Sequence, residues 1–348
     1  MKIPLTFAAM LFFCLHLFGQ YTTTDVYTNF SSPFRMTGNG SFTYVSQPLG
    51  SKVSRLNLND PSSGPITIAN SLFLAGSVLL VGQELYISNL TNGEINKVDV
   101  SIPNSPLVQV VTGLNAPYAM AVIGNDMYIV DGFDDRLVKI DLTQTDPIIE
   151  ELIVGLNQPI DLQLKDSVLY IAEGDSDKIS KVDLRQPNLI TEDVITNVKA
   201  RNLLLDGNIL YFSGESKVSK IDISQVNPTI VEMLNGVDSD DGMYIFGNEL
   251  YVCNYGDNKI VKINNYYASL EEEQIETLKI YPNPSNDYIK IEGLKKDIDY
   301  SIYDITGSKV KSGRLLMNSV IDISMLSKGF FFLNIGENAT KKLKFSKL

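Results

Sequence analysis

Three observations predict an all-β protein, a six-bladed β-propeller followed by a small C-terminal β-sandwich. First, a tyrosine in a strand-like phrase recurs at 44, 86, 128, 170, 211 and 251, spaced by 42, 42, 42, 41 and 40 residues. Second, a basic residue recurs beside it at Arg55, Lys97, Lys139, Lys181, Lys220 and Lys262, each followed by Val, Ile or Leu and then Asp or Asn. Third, short segments rich in Val, Ile, Leu and Tyr alternate with Gly, Asn, Asp and Pro, and no helical period survives across them. Ladders that keep register mark a true repeat. Four short strands in each unit of about 40 residues describe propeller blades.

The unit at 117–158 shows the elements in order. Strand a is predicted over Ala119–Ile123, and the Gly124-Asn125 turn leads to strand b, Met127–Val130. The Gly132–Asp135 turn leads to strand c, Leu137–Leu142, and Pro147 precedes strand d, Ile148–Val154. Gly and Asn suit such turns because they tolerate positive φ. Pro33, Pro117 and Pro159 each stand 11 residues before their tyrosine and mark the unit's start. The sixth unit, Asp241–Asn264, lacks a strand d. Residues Asp25-Val26-Tyr27-Thr28-Asn29-Phe30 match Asp193-Val194-Ile195-Thr196-Asn197-Val198 of the fourth unit. The N-terminal segment is therefore expected to supply the missing strand, covering two edges that would otherwise be bare.

Residues 1–20 read as a secretory signal peptide: Lys2, an apolar run from Ile3 to Phe18, then Gly19-Gln20. Cys14 lies inside that run without a small residue before it, which argues against a lipoprotein cysteine. No later stretch reaches about 18 apolar residues, so no membrane insertion is expected of the mature chain. The single histidine, His16, falls in the leader, the chain has no tryptophan, and Cys253 is the one cysteine left. Ser-His and Cys-His nucleophiles, internal disulfides and the usual zinc sites are thereby excluded. Residues 21–265 are assigned to the propeller and 266–276, YYASLEEEQIE, to an acidic linker. From 21 to 276 there are 34 acidic and 16 basic residues, a net −18, while 277–348 carries +5. An acidic ring argues against nucleic acid and anionic membranes as partners.

From 277 the character changes to short strands between Gly and Asn/Asp turns, compatible with a small β-sandwich. The phrases Tyr281-Pro282-Asn283-Pro284, Tyr303-Asp304-Ile305-Thr306-Gly307 and Leu326-Ser327-Lys328-Gly329-Phe330-Phe331, with the basic end Lys341–Lys347, resemble the C-terminal sorting domain of type IX secretion substrates. That resemblance implies the outer-membrane secretion machinery as partner, and a protein that is secreted or held at the outer cell surface. The propeller phrases YIVDGFDDRLVKID (128–141) and YVCNYGDNKIVKIN (251–264) resemble NHL-type and related six-bladed propellers. That superfamily includes lactonases, lyases, quinone-dependent dehydrogenases and non-enzymatic binders, so the resemblance implies a fold and not an activity.

Ligands of propellers are expected where the d–a and b–c loops meet around the channel. One residue per unit is predicted to face that channel: Arg35, Ser77, Ala119, Asp161, Asn202 and Gly242. Arg35, Asp161 and Asn202 break a small or apolar rule, and Tyr118, Arg201 and Asp241 stand beside this series. These six, Arg35, Tyr118, Asp161, Arg201, Asn202 and Asp241, are the candidate ligand-binding residues. No catalytic residue and no metal ligand is assigned. Carboxylates at the b–c turns (Asp131, Asp134, Asp135, Glu173, Asp175, Asp177 and Asp257) and at Asp238, Asp240 and Asp241 could hold Ca²⁺, an oxygen-seeking cation. Arg136, Lys178, Lys217 and Lys259 at the same rim favour a solvated face of alternating charge instead. The expected function is an exported binding protein for a glycan, a small polar ligand or a protein partner. The alternatives are a metal-dependent lactonase or esterase, which needs several inward carboxylates, and a purely structural scaffold.

Overall fold

The computed structural model describes residues 21–236, 242–264, 279–292, 294, 297–304, 308–316, 319–335 and 341–348. The expected signal peptide and acidic linker lie outside these residues. The chain divides into two compact units, one over 21–266 and one that includes 267–348.

The first unit is a β-propeller. Six four-stranded antiparallel sheets follow one another, each in the order a-b-c-d. The third sheet comprises Pro117–Ile123, Asp126–Asp131, Arg136–Asp141 and Glu150–Val154. Strand d there opens at Glu150, two residues after the expected Ile148, because pairing with strand c begins at Lys139↔Glu150. Strand a of each sheet packs on strand a of the next, and Met243–Phe246 packs on Met36–Asn39 to close the ring.

The two sequence ladders are cross-strand neighbours. Tyr44 faces Arg55, Tyr86 Lys97, Tyr128 Lys139, Tyr170 Lys181, Tyr211 Lys220 and Tyr251 Lys262. All six tyrosines are buried. Side chains directly opposite on antiparallel strands touch, so each ring lies beside a long basic side chain in every sheet. A third regularity becomes visible only in the structure. Between strands c and d every sheet has one extra residue in strand d: Ile68, Val110, Leu152, Val194, Met233 and Val26. Such a bulge bends the outer strand and increases its twist.

Strand d of the sixth sheet is Thr22–Tyr27, paired with Lys259–Asn264. Its register, Asp25↔Val261 and Tyr27↔Ile260, repeats Asp193↔Ser180 and Ile195↔Ile179 of the fourth sheet, bulge included. Apolar cores sit between successive sheets and draw residues from both. One joins Val130 and Leu137 to Leu162 and Ile171, and another joins Tyr27, Phe30 and Ile260 to Val45 and Leu56. Cys253 is buried in the latter, where a small apolar side chain is needed.

The second unit has a three-stranded sheet (Lys279–Tyr281, Tyr288–Glu292, Val320–Asp322) and a four-stranded one (Lys309–Leu315, Ile298–Asp304, Gly329–Ile335, Lys341–Lys347). One core of Ile289, Ile291, Ile321, Ile302, Leu333 and Phe345, among others, takes side chains from both sheets. Prolines at 282 and 284 leave Tyr281-Pro282-Asn283-Pro284 short of backbone donors. The Asn283 side chain replaces them, accepting from Ser346 N at 3.0 Å and donating to Lys344 O at 3.1 Å.

Candidate functional site

The d–a and b–c loops share one face and are bonded to each other. Gly132 N and Phe133 N donate to Ala116 O and Asn115 O, and Gly174 N donates to Gln158 O. In the next step round the ring, Leu156 N donates to Asp135 O and Val198 N to Asp177 O. The d–a loop at 155–158 is thus laced to the turn before it and the turn after it.

At three b–c turns the first residue anchors this lacing: Gln47 donates to Ser31 O, and Asp131 and Glu173 accept from Asn115 N and Asn157 N. Asn89 and Asn254 bond within their own turns, and the fifth sheet has Gly214 there. Gln47, Asn89, Asp131, Glu173 and Asn254 are all buried polar side chains. Asp131 accepts from Asn115 N at 2.6 Å and from Arg136 Nη2 at 2.7 Å. Burial pushes its carboxyl up, against the pull of Arg136 and Asn115. Glu173 accepts from Asn157 N at 3.1 Å and Ser180 Oγ at 2.5 Å, with Lys178 Nζ 3.5 Å away. Asp134 pairs with Arg136, Asp135 accepts from Gln158 N, and Asp257 pairs with Lys259. Asp131, Asp135 and Glu173 therefore spend oxygens on fastening loops, and Asp134 and Asp257 on basic side chains of their own hairpins. Among the described residues no three His, Cys, Asp or Glu gather as a metal site. Asp238, Asp240 and Asp241 lie outside the described residues.

The predicted channel series occupies equivalent places in strand a. Arg35 pairs with Ser46, Asp161 with Ala172, Asn202 with Ser213 and Gly242 with Cys253. Arg35, Ser77, Ala119, Asp161 and Asn202 are all buried, at the hub where successive strands a pack. Asp161 Oδ2 accepts from Asn202 Nδ2 at 2.5 Å and from Leu203 N at 2.7 Å, while Oδ1 accepts from Leu162 N at 2.8 Å. Asn202 Oδ1 in turn accepts from Met243 N at 3.0 Å. Gly242 N continues the chain to Phe34 O at 2.5 Å. A Cβ on Gly242 would meet Arg35 Cα and Met36 N at 2.7 Å, so only glycine lets the first and sixth sheets approach this closely. Burial raises the Asp161 carboxyl, with Arg35 as the largest opposing influence.

Arg35 reaches across the ring, from the first sheet to the fifth, and Nη2 donates to Arg201 O at 2.8 Å. Its Nε and Nη1 are buried with no hydrogen-bond partner among the described residues. Leaving such donors unmet costs about 1–3 kcal/mol each. The Phe34 ring covers the guanidinium, its centroid 4.4 Å from Cζ, and Tyr255 meets Phe34 edge-on at 6.4 Å. Tyr118 lies half-buried over Gly132, where a Cβ would come within 2.2 Å of its ring, and meets the exposed Phe133 edge-on at 6.0 Å. Burial raises the Tyr118 hydroxyl, and Arg201 and then Arg35 pull it back, so all three share one neighbourhood. Arg201 itself is exposed.

Of the six candidates, Asp161 and Asn202 are bound into the hub, Arg35 is buried there and reaches to Arg201 O, and Tyr118 and the exposed Arg201 lie beside it. Asp241 is outside the described residues. Sequence reasoning missed Phe34, Phe133 and Tyr255. The signal was there in part, since Phe34 occupies the place of Tyr118 and Arg201 in its own unit.

Residues 279–346 match the family model of the secretion system C-terminal sorting domain, and this segment is such a domain. No curated protein matches the chain. Solved structures with a similar fold include a streptogramin B lyase (14% identity, 71% of this chain and 98% of that one, TM-score 0.53). A putative gluconolactonase is similar at 11% identity over 70% and 91% of the two chains, TM-score 0.58. A chain of a nidogen/laminin complex follows at 15% identity over 59% and 80%, TM-score 0.51. At such identities the likeness is one of fold.

Proposed function

A β-propeller joined to a type IX sorting tail is, we propose, a binding module that works outside the cell and takes a small polar ligand or a glycan at its d–a/b–c loop face. The tail implies handling by the type IX secretion machinery and export, to the outer surface or beyond it. The site reading rests on one observation. At the loop face the repeat is broken by Arg35, Tyr118 and Arg201 together, and the buried guanidinium of Arg35 keeps two donors unpaired. Asp161 and Asn202 are positioning residues, since their bonds set strands a of the fourth, fifth and sixth sheets against one another.

The test is binding of a soluble glycan and small-metabolite panel to the purified protein and to Tyr118→Ala and Arg201→Ala variants. Arg201 is exposed, so its variant should melt like wild type. Tyr118 packs against two apolar cores, and its variant is scored for binding at a temperature where its melting curve shows it folded. Each should lose about tenfold in affinity, as expected when one well-placed contact worth about 1.4 kcal/mol goes. Wild-type affinity in both variants for every ligand found would remove the site from this face.

A further inference from the structure

We infer that the ligand of the loop face carries a carboxylate on a sugar ring, and that Arg201 and Arg35 are the groups that recognise it. This rests on the binding reading above and narrows it to acidic monosaccharides or the acidic end of a glycan.

Charge makes the first part of the argument. The stretch 21–276 carries a net −18, yet the two charged side chains acting on Tyr118 at this face are both arginines. A basic spot inside an acidic surround attracts a single anion and repels a chain of them, because a polyanion must also lie over the acidic turns. The ligand is therefore a mono-anion or a chain end, not a polyuronate.

Spare valence makes the second part. Arg35 is 5% exposed and uses Nη2 on the Arg201 carbonyl, while Nε and Nη1 find no acceptor. Asp161, whose oxygens take three other N–H groups, makes no ion pair with them among the described residues. A guanidinium with unused donors in a low-dielectric surround binds carboxylate oxygens strongly. Arg201, exposed, is the first cation an incoming carboxylate meets. Phe34 covers Arg35 and must yield for the second contact.

Shape makes the third part. Phe34 and Tyr118 are half-buried rings, each held edge-on by a second aromatic, Tyr255 and Phe133. Fixed flat apolar faces next to a charged group suit a ligand with one apolar face and one anionic substituent. A pyranose uronate has that build. A free inorganic anion has no use for the rings.

The experiment uses the full exported protein and two matched pairs of probes, galacturonate against galactose and glucuronate against glucose, read by calorimetry and saturation-transfer NMR. Wild type should bind at least one uronate about tenfold or more tighter than its neutral partner, the effect of one charge-assisted contact. Arg201→Gln should abolish that preference and leave neutral-sugar binding in place. Arg35→Gln should do the same where its melting curve shows it folded, and Arg201→Gln carries the test where it is not. Equal binding of acidic and neutral partners would overturn the carboxylate inference and leave the loop-face reading standing. Binding of neither would overturn both for sugars. A preference that survives Arg201→Gln and a folded Arg35→Gln would move recognition to other residues and overturn the assignment.

Discussion

At the scale of single residues, the hub sets two buried charges near each other without a direct ion pair. Asp161 is satisfied by three N–H donors and Arg35 by one carbonyl, so each is held by neutral partners. Burial dominates at Asp161 and raises its carboxyl above the ordinary value of about 4. An acid raised in the folded state contributes its stability below its unfolded pKa and loses it as pH climbs through the folded one. Urea unfolding, followed by tyrosine emission since the chain has no tryptophan, should therefore show stability falling as pH rises above about 4. Asp161→Asn should lack that component, and an unchanged pH slope in the variant would contradict the assignment. Gly132 bears on the same face in a different way. Gly132→Ala sets a methyl group against the Tyr118 ring and close to Pro159 O, and should weaken ligand binding as Tyr118→Ala does, with some loss of melting temperature. Binding at wild-type strength would mean that the ring's seat is immaterial.

At the scale of elements, a device used at Gln47, Asp131 and Glu173 is a buried polar side chain at the head of the b–c turn that holds the neighbouring d–a loop. Breaking one by Asp131→Ala leaves the Asn115 N–H without its acceptor and takes one of three carboxylates from Arg136, which keeps Asp134 and Glu151. The change should cost about 1–3 kcal/mol in urea titrations. The seam is the second such element. Tyr27 is buried in the core between the sixth and first sheets, and its hydroxyl donates to Asn57 O at 3.0 Å. Tyr27→Ala should cost about 3 kcal/mol or more, and a loss below about 1 kcal/mol would show the seam to be loose. Much of this was legible in the sequence. The Tyr and Lys ladders fix strands b and c, and the likeness of Asp25–Phe30 to Asp193–Val198 fixes the closing register, because each follows from position along a strand. The hub was legible only as a row of candidates. A repeat says which residues occupy equivalent places but not who meets whom across the ring. The reach of Arg35 to Arg201 spans 166 positions, and the use of Asp161 on Asn202 and Leu203 depends on how strands a converge. The carboxylates of the b–c turns resembled a cation site for the same reason: their consumption by Arg136, Lys178 and loop N–H groups is a tertiary fact.

At the scale of the whole molecule, the address and the working part are separate in sequence and opposite in charge, +5 over 277–348 against −18 over 21–276. Removing 279–348 should abolish appearance of the protein outside the cell, by surface labelling and blotting of the medium, while the propeller accumulates inside. Normal export of the truncated chain would break the link between the sorting domain and destination. Ring closure has a consequence for biogenesis. The strand Thr22–Tyr27 leaves the ribosome early, and its partner Lys259–Asn264 is made more than 230 residues later. The clasp cannot shut until synthesis of the whole ring is done, so any chain stopped short keeps a bare sheet edge at its beginning. Unfinished copies thus carry a built-in mark for proteases and chaperones, which the completed circle conceals.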